Sequence, residues 1–133
     1  MLAVDTNVLA YLLLEGDRTA DAQALYARDA DWRSEVFLLI EFSNILATYA
    51  RRGALGADAA AELQAMAEQV LGGLVNLPHT RALRLAAQYG VSAYDARFLG
   101  AAQALGTKLV TEDAKLRAAA PALTRSIAQA LKD

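Results

Sequence analysis

Met1-Leu2-Ala3-Val4-Asp5-Thr6-Asn7 is a short apolar run that stops abruptly on an acid. Four consecutive apolar residues without helical spacing read as a buried strand, and the polar trio after them reads as a helix start. The same order recurs along the chain. Asn7–Leu14 and Thr19–Ala30 read as helices broken near Gly16–Asp17, and Trp32–Ser34 reads as a short strand. Val36–Arg52 is a long helix whose Leu38, Phe42, Ile45, Leu46 and Tyr49 recur at three and four, ended by Gly53. Asp58–Leu71 is a helix closed by Gly72–Gly73, and Leu74–Leu77 is a strand. Pro78 opens a helix that runs to Tyr89 and stops at Gly90. Asp95–Leu105 is a helix, Lys108–Val110 a strand, Glu112–Ala119 a helix, and Leu123–Arg125 a fifth strand before a last helical turn. Short strands separated by helices imply right-handed crossovers and a parallel sheet covered on both faces. Ligands in such folds sit beyond the carboxyl ends of the strands, where strand order switches. Acids placed just after strands are therefore the residues to weigh.

Composition narrows the chemistry. At 133 residues the sequence is expected to form one domain over 1–133. A hydrophobic share of 56% against 21% charged residues suits a packed core and excludes a disordered tail. The longest charge-free stretch, Gln69 to Thr80, contains Gly, Asn and Pro, so no transmembrane helix is expected. Only four residues precede Asp5, so no signal peptide is expected. The absence of cysteine excludes a disulfide framework, a thiol nucleophile and a Cys-based zinc site, and fits a reducing compartment such as the cytoplasm. With one histidine, His79, poly-His metal sites are excluded within a chain, and its place beside Pro78 reads as structural. The net charge of −2 does not advertise nucleic-acid binding, which would need a local patch or a bound metal ion.

Four acids stand out, and each has an ordinary structural role beside a chemical one. Asp5 or Thr6 suits the N-cap of the first helix. Ser92-Ala93-Tyr94-Asp95 matches a capping box. Thr111 suits an N-cap with Glu112 and Asp113 in the first turn. Glu41 is the odd one, a lone charge among Phe37, Leu38, Ile40, Phe42 and Ile45. It is desolvated there unless a cation meets it or it reaches out to water. Glu35, just ahead of the long helix, suits that helix's dipole. The tyrosines are spread along helices and look like packing residues.

A parallel sheet can bring Asp5, Glu41, Asp95 and Asp113 to one end. Carboxylates that close repel, so some must protonate or a cation must bind. Without His or Cys, such a cluster selects a hard divalent ion, Mg²⁺ or Mn²⁺. That ion suits phosphodiester hydrolysis, through polarisation of the phosphoryl oxygen and activation of water. Phosphate-binding glycine loops and a G-x-S-x-G elbow are absent.

The stretches Val4-Asp5-Thr6-Asn7, Glu41-Phe42-Ser43-Asn44-Ile45-Leu46, Ser92-Ala93-Tyr94-Asp95-Ala96 and Val110-Thr111-Glu112-Asp113 stand in the order and over the length that resemble the PIN-domain family, and within it the VapC-type toxins of bacterial toxin–antitoxin pairs. The resemblance implies a three-layer α/β/α fold with about five short, mainly parallel strands, and a metal-dependent ribonuclease. It puts the family's acidic quartet on Asp5, Glu41, Asp95 and Asp113, its supporting hydroxyl on Thr111, and its polar residue after the first acid on Asn7. It also implies a homodimer and a small antitoxin seated in the active-site groove.

Together these readings lead to an endoribonuclease that uses Mg²⁺ or Mn²⁺. Asp5, Asp95 and Asp113 are expected to hold the metal directly or through water. Glu41 either ligates a second ion or helps to deprotonate the attacking water. Asn7 steadies Asp5, and Thr111 orients Asp113 or contacts phosphate. Arg97, Lys115 and Arg117 are candidates for RNA phosphates, with solvated helix surface as the alternative. A competing reading is a non-catalytic module whose acidic groove receives a basic partner peptide. A phosphotransfer site on Asp5 ranks last, because Asn7 stands where an Asp-x-Asp signature needs its second acid.

Overall fold

A computed structural model describes residues 1–133. The elements in chain order are β1 (Leu2–Val4), α1 (Thr6–Leu13), α2 (Thr19–Arg28), β2 (Trp32–Glu35), α3 (Phe37–Arg51), α4 (Ala57–Val70), β3 (Leu71–Val75), α5 (His79–Tyr89), α6 (Ala93–Ala104), β4 (Leu109–Val110), α7 (Ala114–Ala119), β5 (Thr124–Arg125) and α8 (Ile127–Lys132). The five strands form one sheet in the order β3-β2-β1-β4-β5, and every pairing is parallel. Helices cover both faces of this three-layer α/β/α arrangement, with α5 on α6, α6 against β1, β2 and β4, and α1 packed with α2, α3 and α4. No helix is long and apolar enough to cross a membrane.

The chain leaves β1 for α1, β2 and β3 on one side of the sheet and returns through β4 and β5 on the other. Strand order therefore reverses between β1 and β4, the place where such sheets bind ligands. β1 is buried along its whole length, as its unbroken apolar run requires. The core around it contains Trp32, Phe42, Leu9, Leu25, Leu38, Leu99, Leu109 and Ile127. A smaller core of Leu77, Ala82, Leu85 and Ala96 joins α5 to α6. Gly100 makes that contact close, because a Cβ there would run into the methyls of Leu77.

Several element boundaries depart from the sequence expectations. Gly72–Gly73 do not close a helix; both lie inside β3, at the sheet edge. The pairing of β2 with β3 skips between Trp32 and Arg33, and the Arg33 side chain lies over Gly73. Pairing with β2 overrides the helix-stop reading there. Helix α6 begins at Ala93, two residues before the expected start, because the Ser92 hydroxyl accepts the Asp95 N–H at 3.0 Å and so caps the helix. The cap of α7 is Asp113 rather than Thr111. Gly90 closes α5 as expected, in the left-handed conformation at φ 67°.

Candidate active site

Asp5 and Asp113 follow the two central strands, β1 and β4, whose register pairs Val4 with Val110. Asp5 is the N-cap of α1; its Oδ1 accepts the Val8 N–H at 3.1 Å. This side chain is buried, and burial pushes its carboxyl up from 3.8 to about 6. The charges of Asp113 and Asp95 push the same way, while the Thr111 hydroxyl and the Val8 N–H oppose them. Asp113 caps α7, its Oδ1 accepting the N–H groups of Lys115 at 3.0 Å and Leu116 at 3.1 Å. Its own N–H donates to the Thr111 Oγ1 at 3.1 Å. Asp95 lies in the first turn of α6. Burial first, then the charge of Asp113, holds it above the ordinary carboxylate value, against the opposing Ser92 hydroxyl.

Glu41 reaches the same place from the middle of α3. Its Oε1 accepts the Thr6 hydroxyl at 2.6 Å, which ties α3 to the start of α1. The four acids share the walls of one cavity of about 410 Å³, with Thr6, Asn7, Asn44, Phe37, Ile40, Ile45, Tyr94 and Phe98. They do not form a closed ligand cage, and no three of them stand as a ready-made metal-binding group. Asp5 and Asp113 each use Oδ1 to cap the helix that follows, and Glu41 uses Oε1 to hold Thr6.

The donor set fits a hard divalent cation. It offers carboxylate oxygens with no His or Cys, and its most buried member is held above the ordinary carboxylate value first by burial and then by the charges of Asp113 and Asp95. A cation in the cavity would relieve that repulsion.

The supporting residues fall out unevenly. Thr111 is fully buried, so it orients Asp113 and faces Asp5 and is out of reach of a phosphate. Asn7 is exposed on the cavity wall; Val8 and Thr111, not Asn7, supply the hydrogen bonds that hold Asp5. Arg97 is not available to RNA. Its Nη1 donates to the fully buried Glu35 at 2.8 Å and to the Leu77 carbonyl at 3.0 Å, and its Nη2 meets the His79 Nδ1. Glu35 serves the start of α3 as expected, its Oε1 accepting the Phe37 N–H at 2.7 Å, but as half of a buried ion pair. Arg117 donates to the Thr111 carbonyl at 2.8 Å and stands 3.7 Å from Glu112, whereas Lys115 is exposed.

Three residues escaped sequence reasoning. Thr6 looked like a possible cap and instead holds Glu41. Phe37 and Tyr94 looked like packing, yet Tyr94 is 63% exposed in the cavity and stacks on Phe37. The adjacency of Tyr94 to Asp95 was the one available signal.

Comparison with known proteins agrees with the fold. The family model described as PIN domain matches residues 2–121. Ribonuclease VapC3 of Pyrobaculum aerophilum is 29% identical over 126 residues, covering 92% of this chain and 96% of its own. The crystal structure of PAE2754 from Pyrobaculum aerophilum superposes with a TM-score of 0.77 at 24% identity, covering 98% of this chain and 86% of that one, a likeness of fold.

Proposed function

The chain belongs to the PIN-domain family, and from that premise we propose that it is an endoribonuclease that hydrolyses RNA phosphodiester bonds with Mg²⁺ or Mn²⁺. The observation that carries this reading is the buried Asp5 at the strand-order switch, with Glu41, Asp95 and Asp113 in the same cavity. The name of the similar Ribonuclease VapC3 supports the choice of RNA.

Asp5, Asp95 and Asp113 would hold the cation. When bound, that ion polarises the phosphoryl oxygen and makes water nucleophilic near neutral pH. The residues of the chain do the rest. The α7 cap holds the Asp113 side chain, and the bond of its N–H to Thr111 holds its backbone, so the carboxylate is positioned on the cavity wall. Asp5 is fixed in the same way by Val8. Glu41 has one oxygen held by Thr6 and one left to accept a proton from the attacking water or to bind a second ion. Phe37, Ile40 and Ile45 give the cavity an apolar wall beside the acids.

In this reading the chain is the toxin of a type II toxin–antitoxin pair. It acts in the cytoplasm as a homodimer, each protomer one PIN unit over residues 1–133, and a small antitoxin closes the acidic groove. β5 and α8 lie beyond the matched residues 2–121 but share the sheet and the core through Thr124, Ile127 and Ala130. The test is cleavage of single-stranded RNA with Mg²⁺ or Mn²⁺, repeated with EDTA and with Asp5→Asn. The chelator and the substitution should each abolish cleavage. Activity that survives both overturns the mechanism. For the toxin role, expression alone should arrest growth and the adjacent small gene should rescue it.

A further inference from the structure

Without a cation the acidic cavity repels the phosphates it must receive, and Arg97, two residues past Asp95, is consumed by Glu35. Affinity for RNA therefore has to come partly from uncharged contacts. The cavity holds one suited to that purpose. Tyr94 precedes Asp95 in the first turn of α6 and lines the same cavity as all four acids. Its ring lies 5.2 Å from that of Phe37 with only 9° between the planes. Phe37 in turn leans on the buried Phe98, 6.4 Å away. The three rings thus run from the core to the surface. One face of Tyr94 is backed by this ladder, while 63% of the residue stays exposed to solvent. A large aromatic side chain left open beside a charged cavity, and held flat by another ring, is costly to expose and is ready to be covered.

We propose that Tyr94, backed by Phe37, is a stacking platform for an unpaired nucleobase next to the scissile phosphate. This inference rests on the ribonuclease reading and deepens it. Every base has a π-face, so a ring of this kind binds single strands with little sequence preference. A base held in a duplex has both faces covered by its neighbours and cannot use it. The site therefore selects single-stranded RNA or loops. Asn7 and Asn44, exposed amides on the same cavity, are placed to meet polar edges of the strand.

The experiment is steady-state cleavage of one RNA and of a series in which a single abasic residue is walked across the cleaved bond, by the wild type, Tyr94→Leu and Tyr94→Phe. In the wild type, one abasic position flanking the bond should raise KM about tenfold. Tyr94→Leu should show that loss on intact RNA and no further loss at the same abasic position. Tyr94→Phe, which keeps the ring, should recover the lower KM. Two penalties that simply multiply, or an unchanged KM in Tyr94→Leu, overturn the platform while leaving the nuclease intact. So does a base-independent loss accompanied by a fall in molar mass on light scattering, which would mean that a second copy of the chain covers Tyr94. Absence of any RNA cleavage by the wild type would instead remove the ribonuclease reading, and the platform with it.

Discussion

The guanidinium of Arg97 lies 2.8 Å from the carboxylate of Glu35, a side chain with no exposed surface at the end of β2. Through this pair and through its bond to the Leu77 carbonyl, Arg97 joins β2, the turn before α5, and α6. It sits two residues past Asp95, so the same helix turn that delivers an acid to the cavity is anchored in the interior.

Breaking one half of that pair should be severe. Arg97→Met leaves a buried carboxylate without its cation and should destabilise the fold by about 3–5 kcal/mol. Adding Glu35→Gln removes the stranded charge while an amide oxygen still accepts the Phe37 N–H, so the double variant should be more stable than Arg97→Met alone. Urea unfolding of the three proteins measures both effects. Equal loss in the single and double variants would deny the pair its role.

Asp5 makes the metal-free protein pH-sensitive in a defined direction. Its folded value of about 6 lies above the ordinary 3.8, so the native state binds this proton more tightly than the unfolded chain does. Stability in EDTA should therefore fall as pH rises from about 4 to about 6 and then level off, with a total change near 3 kcal/mol. Asp5→Asn, still a good N-cap, should be more stable than wild type at pH 7 and should lose most of that slope. A flat wild-type profile across that window would contradict the burial of an ionised Asp5.

Thr6→Val keeps the size of the side chain and removes the donor that holds Glu41. The lost bond involves a charged acceptor, so kcat should fall about tenfold or more in single-turnover RNA cleavage. Thr6→Ser should restore most of it. Loss of kcat without rescue by serine would assign the effect to packing.

Much of this was legible in the residue order. The apolar run Met1–Val4 ending on Asp5 gave a buried central strand with an acid at its carboxyl end, and Gly90 stopped α5 where its left-handed backbone required. Glu41 could be singled out by its apolar setting, whereas Asp5, Asp95 and Asp113 sit in ordinary helix-start settings and gained weight only together. What stayed hidden depended on partners distant in sequence. Gly72–Gly73 read as a helix stop because nothing local shows that β2 will pair with them. Arg97 read as a free cation because Glu35 lies 62 residues away. Thr6 and Glu41 are 35 residues apart, so their bond had no local signature. Tyr94 read as packing because a stacked, exposed ring and a buried one have the same helical spacing.

The account stands on the four carboxylates acting as one cation site. The most direct measurement is thermal unfolding across a Mg²⁺ or Mn²⁺ titration, wild type against Asp113→Asn. Binding to the native state raises the wild-type midpoint as the ion is added, and the shift should shrink markedly when Asp113 loses its charge. Identical shifts in the two proteins, or none in the wild type, would contradict a shared site at the ends of β1 and β4.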